Sequence, residues 1–288
     1  MSDPIIMHIT DTHLGAQHQD FEPNFNQILM EIDRIQPDIV INTGDITING
    51  ADSVEDHLHA RKLHDMISVP WRVLPGNHDI GDNPSHSQHI PKQFPNIERQ
   101  SRFLEIWGYD RWALDLGKYR LIGLNAQLCG TGGESEKRQL DFLREEIKIL
   151  GDRPIALFLH KPLFMKDSEE TAFTSRCIPP PQRAEFLELL GSKNLKLIAS
   201  GHMHQYYIRE INGVTHAWGP SSAYILPEGF QPSIGNKEIG YILYHLQENN
   251  IESEVIVPEG MEQSNLLDFP APYGSLRPYI EGKKIYVS

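Results

Sequence analysis

Ile5-Ile6-Met7-His8-Ile9-Thr10-Asp11-Thr12-His13 decides how the chain is read. An apolar run, broken only by His8, ends in a carboxylate and an imidazole two positions apart. The arrangement recurs along the chain. Residues 39–42 lead to Gly44-Asp45, residues 71–74 to Gly76-Asn77-His78-Asp79, residues 155–159 to His160, and residues 195–200 to Gly201-His202-Met203-His204. Each run has the length and composition of a buried strand. Strand ends gathered along one sheet edge would unite the imidazoles of His13, His160, His202 and His204, the carboxylates of Asp11 and Asp45, and the Asn77 amide oxygen. All are metal-binding types. A lone Asp-x-His or His-x-His is weak evidence, whereas five motifs in order are strong evidence.

The first half alternates strand and helix patterns. Residues 25–35 place Phe25, Ile28, Leu29, Ile32 and Ile35 at helical spacing, and Pro37 ends that helix. Residues 53–67 read as a second helix, capped by Ser53 with Asp56 three residues on. This βαβαβ order predicts parallel strands with helical crossovers. The second half reads as hairpins: residues 112–116 and 119–125 around Gly117-Lys118, 206–211 and 214–218 around Asn212-Gly213, and 241–246 and 251–257 around Glu248-Asn249-Asn250. Residues 135–150 form a helix with Leu140, Leu143, Ile147 and Leu150 on one face. The expectation is an antiparallel second layer packed on the first sheet, with helices outside. Residues 81–96, 166–181 and 258–288 read as irregular. The first two follow motif residues and are expected at a pocket rim. The third, with Pro258, Pro270, Pro272 and Pro278, reads as an extended tail. The expected organisation is a catalytic domain over residues 1–257 and a proline-rich tail over 258–288.

The chain has 288 residues, of which 39% are hydrophobic, enough for the core of one α/β unit. Its net charge of −13 argues against tight non-specific binding of nucleic acid, which rests on Lys and Arg neutralising phosphates. An anionic small molecule remains open as a ligand, because bound metal ions reverse the local potential. No apolar run approaches the roughly 20 residues that span a bilayer, so no membrane partner is expected. The first strand starts at Ile5, so no removable leader is expected, since its loss would take Asp11 and His13 with it. Cys129 and Cys177 lack disulfide or metal spacing and read as free thiols. A cytoplasmic, reducing location is expected.

In this order the motifs resemble those of the calcineurin-like metallophosphoesterase superfamily, over residues 5–257. The stretches His8-Ile9-Thr10-Asp11-Thr12-His13-Leu14 and Leu74-Pro75-Gly76-Asn77-His78-Asp79 resemble bacterial class III cyclic-nucleotide phosphodiesterases and glycerophosphodiesterases in particular. The resemblance implies a four-layer α/β/β/α sandwich of two mixed sheets flanked by helices, with a two-metal site. Carried over by motif, Asp11, His13 and His204 hold one ion, Asn77, His160 and His202 hold the other, and Asp45 bridges both. A shared carboxylate offsets part of the repulsion between ions about 3.5–4 Å apart. An all-nitrogen-and-oxygen ligand set suits iron and manganese first, with zinc or a manganese pair as alternatives, and argues against Cu(I) or a closed structural zinc site. The resemblance also implies that His78 contacts the phosphate and helps protonate the leaving oxygen, and that a metal-bound hydroxide is the nucleophile. Asn77 and His216 are further expected substrate contacts, and Asp79 is expected to orient His78 in catalysis. Gly44, Gly76 and Gly201 sit where a strand ends and a ligand must turn into the pocket.

The expected activity is hydrolysis of a small phosphodiester, cyclic-nucleotide or glycerophosphodiester-like, by a chain that forms homo-oligomers. A phosphomonoesterase acting on a small phosphorylated metabolite is the first alternative, since both reactions use the same metals. A DNA nuclease fits the acidic charge poorly. A non-catalytic interaction module fits poorly with a complete set of seven ligands and His78. One departure stands out: His160-Lys161-Pro162, where cyclic-nucleotide relatives often place a second histidine. Lys161 is expected either to face solvent or to offer charge to a monoester. His57, His59 and His64 are expected on a solvated helix face, His8 packed within its strand, His86 and His89 in a loop, and Asn125 as a strand-end candidate for substrate contact.

Overall fold

Parallel pairing of three strands builds the floor under the first three motifs. The computed structural model describes residues 3–84, 94–191, 194–248 and 250–269. Strands β1 (Ile5–Ile9), β2 (Ile39–Asn42) and β3 (Trp71–Val73) pair in parallel, linked by helices α1 (Glu22–Ile35) and α2 (Val54–His64). Helix α1 stops where Gln36 turns left-handed (φ 52°), just before Pro37. Helix α2 starts where the Ser53 side chain accepts the Asp56 amide at 3.1 Å. The single turn α3 (Asn77–Ile80) follows β3, and α4 (Ile97–Trp107) follows it.

The second half contributes β4 (Trp112–Leu116), β5 (Tyr119–Gly123), α5 (Glu134–Ile149), β6 (Ile155–Phe158), α6 (Pro180–Leu190), β7 (Leu195–Ser200), β8 (Tyr207–Ile211) and β9 (Val214–Trp218). Strands β10 (Tyr241–Leu246) and β11 (Ile251–Ile256) then return to the first sheet. The sheet orders are β11-β10-β1-β2-β3 and β4-β5-β6-β7-β9-β8. All three predicted hairpins form, but the second layer is mixed, not antiparallel. Helices α5 and α6 act as crossovers, which make β5, β6 and β7 parallel, and β9 joins β7 in parallel. The last hairpin leaves that layer altogether, because β10 pairs with β1.

Alternation along the strands sorts the core into three slabs. Ile6, Ile39, Ile41 and Leu74 meet Leu121, Ala156, Phe158, Leu197 and Ala199 between the sheets. Met7, Ile9, Val40 and Val73 pack outward on Phe25, Ile32, Ala60, Leu63, Phe103 and Trp107. Ile155, Leu157 and Ile198 pack outward on Leu143, Phe186 and Leu190. The result is the four-layer α/β/β/α sandwich.

Two helices escaped the periodicity reading. Helix α4 is bounded by Asn96, which accepts the Arg99 amide at 2.9 Å, and by Gly108 at φ 83°. Helix α6 carries prolines in its first turn, inside a stretch read as irregular. Missing α4 had a consequence. Its Phe103 and Trp107 cover α2, so His57 and His64 are fully buried and do not line a solvated face. The Trp107 indole N–H donates to His57 Nδ1 at 3.2 Å, which fixes His57 as the neutral tautomer. His64 stands 2.9 Å from the Ala60 carbonyl and 3.1 Å from the Asn42 side-chain amide. His59 is half-buried on Glu22. His8 is packed as expected, stacked on Tyr244 between the sheets. His86 and His89 lie outside the described residues.

The chain past Val257, read as an extended tail, continues as packed structure to Phe269. Met261 and Leu266 are buried, and Ile225 exchanges backbone hydrogen bonds with this segment. Residues 270–288 lie outside the described residues. Among the described residues no helix is long and apolar enough to cross a membrane.

The buried histidines give stability a pH dependence. Burial lowers His57 and His64 from 6.5 to about 4 each. The unfolded chain therefore takes up protons that the folded chain refuses between those values. Stability is complete above about pH 6.5 and is lost as pH falls toward 4, each group contributing a slope of up to about 1.4 kcal/mol per pH unit. Urea midpoints at about pH 7.5 and about pH 5 should show the fall, and His64→Gln should reduce it. An unchanged slope in that variant contradicts the assignment.

Candidate metal centre

All five motifs lie just past the C-terminal ends of parallel strands: Asp11 and His13 after β1, Asp45 after β2, α3 after β3, His160 after β6, and His202 and His204 after β7. The open edge beyond such strand ends is where α/β sheets bind ligands. Backbone pairing runs on into the motifs. The Asp11 amide donates to the Gly44 carbonyl at 2.9 Å and the His13 amide to the Asp45 carbonyl at 3.0 Å. The His202 amide, past the end of β7, donates across the sheets to Asp11 Oδ2 at 2.9 Å.

The motif backbones are strained. Asp11, His13, Asp45, His202 and His204 take φ of 52°, 44°, 49°, 67° and 47°. Among the described residues only Gln36 and Asn212 share that state without being glycine. Left-handed backbone costs an L-residue about 1–2 kcal/mol, so the surrounding fold must enforce it. Gly76 is part of that enforcement: a Cβ there would collide with the Asp45 amide and carboxylate. Gly44, at φ 116°, makes the preceding turn.

These turns aim lone pairs at two points. Asp11, His13 and His204 form one group and Asp45, His160 and His202 another, the donor atoms of each lying within 4.8 Å of one another. In the first, His13 Nε2 is 3.4 Å from His204 Nε2, and His204 Nε2 is 3.3 Å from Asp11 Oδ1. Asp11 Oδ1 is buried and accepts no well-formed hydrogen bond, a costly state for a carboxylate oxygen. In the second, His160 Nε2 is 3.3 Å from Asp45 Oδ2, 3.3 Å from Asn77 Oδ1 and 3.2 Å from His202 Nδ1. One N–H cannot satisfy three acceptors, whereas one cation can. The far ring nitrogens are fixed by carbonyls: His160 Nδ1 lies 3.1 Å from that of Thr43, His204 Nδ1 2.7 Å from that of Tyr224, and His202 Nε2 3.2 Å from that of Ser175. Such contacts orient metal-binding imidazoles. The residues present therefore fit two metal ions.

Charge agrees with geometry. Burial disfavours a charged His160, yet the Asp45 carboxylate raises it to about 9. Burial likewise opposes ionisation of Asp45, but His160 and His78 hold it well below the usual carboxylate range. The Asp45 charge also reaches His13 and His204 in the first group.

The remaining expected site residues divide. His78 sits at the mouth, its ring edge-on to His13 at 4.7 Å and its amide donating to Asp45 Oδ1 at 2.8 Å. Its Nδ1 lies 2.7 Å from the Ile48 carbonyl, so Ile48, not Asp79, orients the ring. The buried Asp79 carboxylate instead accepts the amides of Ile46, Thr47 and Gly76 and the Thr47 hydroxyl, clamping the Asp45 turn to α3. Burial, then the Asp45 charge, push Asp79 up to about 6. His216 is not brought to the site. Its neighbour Ala217 faces the inter-sheet core, so His216 faces outward and packs against Phe164, the rings tilted with centroids 4.9 Å apart. Asn125 caps a turn and bonds Asp110, also away from the metal groups. Loop 166–177 does reach the site, through the Ser175 carbonyl. That contact and Tyr224, whose hydroxyl lies 3.3 Å from His13 Nε2, were missed from sequence. A carbonyl carries no residue-type signal, and Tyr224 stands outside every motif.

Lys161 does not face solvent, and its charge is felt at His202, which burial and then Lys161 hold well below the usual imidazole range. The Lys161 side chain is fully buried and its ammonium bonds Asp82 and Asn83, just past α3. A buried charge that loses its partner is costlier than a buried pair replaced by an apolar chain. Asp82→Ala should therefore destabilise by about 3 kcal/mol, and Lys161→Met by less. Urea unfolding of both variants checks the order, and the reverse order contradicts the clamp.

The family model described as calcineurin-like phosphoesterase matches residues 5–206. The chain is 27% identical over 212 residues to a probable glycerophosphodiester phosphodiesterase of Arcobacter nitrofigilis, covering 70% of this chain and 72% of that one. It is 25% identical over 228 residues to a 3',5'-cyclic-nucleotide phosphodiesterase of Nostoc sp., covering 76% and 78%. In fold it is similar to a dimetal phosphatase from Danio rerio, with TM-score 0.60, 12% identity and coverage of 88% and 96%. It is also similar to GAP50, the anchor in the inner membrane complex of Plasmodium, with TM-score 0.64, 13% identity and coverage of 100% and 97%. The chain belongs to the calcineurin-like phosphoesterase family and is a hydrolase of the metallophosphoesterase type.

Proposed function

We propose that the chain hydrolyses a small phosphodiester at a two-metal site, with Asp11, His13 and His204 holding one ion, Asn77, His160 and His202 the other, and Asp45 shared. The observation that carries this reading is the convergence of nitrogen and oxygen donors on two adjacent points, with the Asp45 charge acting on both. Bound ions there would lower the pKa of coordinated water toward 7 and stabilise charge building on the phosphoryl oxygens. Iron or manganese suits the nitrogen and oxygen donors, zinc being the alternative.

The protein's own part is positioning and proton supply. Nδ1 of His78 faces the Ile48 carbonyl and must carry a proton to bond it. The second proton of the imidazolium then resides on Nε2, the nitrogen able to give it to a leaving oxygen. The His78 amide on Asp45 Oδ1 ties this ring to the shared ligand. The clamp of Asp79 on the Asp45 turn keeps both in register.

The diester preference has two supports. The Arcobacter and Nostoc relatives are named as diesterases. Lys161, the cation beside His160 that would favour a phosphomonoester dianion, is buried and its ammonium is paired with Asp82. The free, buried Cys129 and Cys177 agree with a reducing, cytoplasmic setting.

Under equal manganese loading, bis-p-nitrophenyl phosphate should be cleaved with higher kcat/KM than p-nitrophenyl phosphate; the opposite preference makes the chain a monoesterase. Asp45→Ala should lose metal and turnover together, measured by elemental analysis and assay; full metal with normal turnover sinks the two-metal reading. His78→Ala should keep its metal yet lose turnover by roughly 10²–10⁴-fold on alkyl esters, and less on p-nitrophenyl esters, whose leaving group needs little protonation. Equal loss on both would mean that His78 binds phosphate without donating a proton.

A further inference from the structure

We propose that Arg209 and His216 form a second binding site, on the outer face of the second sheet and apart from the metal groups, that takes the carboxylate of a small molecule. His216 is a residue whose position in sequence pointed to substrate but whose side chain the fold turns elsewhere.

Strand register builds the site. Arg209 on β8 stands directly opposite His216 on β9, and Tyr207 opposite Trp218. Opposed residues of an antiparallel pair share one face of the sheet. Ile208 and Ala217 pack toward the inter-sheet core, so these four side chains point outward. Strand β8 is the edge of its sheet. Phe164, from the chain after β6, lies against the group. Its ring is 4.9 Å from that of His216, and the Arg209 guanidinium carbon is 5.5 Å from it, 5.0 Å from the Tyr207 ring and 5.5 Å from the Trp218 ring.

Two polar side chains in this aromatic surround are left open. Arg209 Nε is buried and without a hydrogen bond. Its Nη2 meets only the Phe164 carbonyl, at 3.5 Å, and among the described residues its Nη1 has no acceptor and no carboxylate pairs with it. Arg183, over the same Phe164 ring, is by contrast engaged by the carbonyls of Leu163, Ser168 and Glu170. His216 is 7% exposed, yet among the described residues neither of its ring nitrogens is hydrogen-bonded. Polar groups so buried ordinarily have partners. Burial and then the Arg209 charge lower His216 to about 4, so near neutral pH it is uncharged and offers one N–H beside the guanidinium.

Charge and shape select the ligand. The one uncommitted charge here is that of Arg209, which a monoanion balances. A phosphate dianion would bring an uncompensated charge among aromatic rings, at a cost. A carboxylate is planar and matches the guanidinium fork with two parallel hydrogen bonds. The half-buried Tyr207 ring offers a surface to the apolar body that carries the carboxylate.

The test is a titration of the full, zinc-loaded chain with benzoate, followed by NMR at the Arg209 side-chain N–H and the His216 ring. Both signals should move along one saturating curve. Arg209→Gln should weaken binding roughly 10–100-fold, the effect of losing a charged hydrogen bond. Should that variant not fold, Arg209→Lys takes its place, since it keeps the charge but loses the fork, and binding should weaken there too. Asp45→Ala should give the wild-type curve, because this site does not use the metal groups. No response to benzoate, or a curve that neither arginine variant alters, would overturn the site. A curve abolished in Asp45→Ala would place the carboxylate on the metals and overturn it as well. Tighter binding of sulfate than of benzoate would overturn the choice of a carboxylate.

Discussion

Lone pairs forced together without enough protons to share are the constraint on which the rest of the structure depends. His160 Nε2 faces a carboxylate oxygen, an amide oxygen and another imidazole nitrogen within 3.3 Å. Left to itself such an arrangement would spring apart. It persists because five of the donor residues are held left-handed at strand ends. Local strain of this kind survives only where the surrounding structure over-determines it. Cations at the two points would relieve the crowding, so strain and metal binding are two sides of one design.

The over-determination can be traced residue by residue. Asn42 accepts the Gly44 amide at 3.0 Å through its side chain, and that side chain is itself held by His64. Asp79 grips the next turn from the other side, and the His57 ring bonds the Asp79 carbonyl at 3.1 Å. Helix α4 seals these histidines from water, which keeps them neutral and able to serve as hydrogen-bond partners. A helix on the outer layer therefore bears on a carboxylate at the pocket. Across the sheets, the Lys161 ammonium fastens the chain after His160 to the chain after His78. The two halves of the site come from different sheets, and this buried pair is one of the links that keep them in register.

Much of the candidate site was legible in the sequence because each candidate donor follows its strand at once. Asp11, His13, Asp45, Asn77, His160, His202 and His204 all fall where the motif spacing put them. Strand runs were equally clear, since apolar β-rich segments bounded by glycines admit few other readings. Sheet membership was not legible: a hairpin signal such as Glu248-Asn249-Asn250 says that two strands pair, not which sheet they join. Helix α4 carried its caps, Asn96 and Gly108, but no clean apolar stripe drew notice to them. His57 and His64 were then assigned to solvent for want of the helix that covers them. His216 was misplaced because a strand end near a site says nothing of which face a side chain takes. Ile48 and Ser175 act through carbonyls, which leave no trace in residue type.

As proposed, the two clusters of donors are two adjacent ion sites joined by Asp45. Anomalous diffraction from crystals grown with manganese tests it most directly. Two peaks about 3.5–4 Å apart are expected, one among Asp11, His13 and His204, the other among Asn77, His160 and His202, with the Asp45 carboxylate between them. A single peak, or two peaks that do not share Asp45, would contradict it.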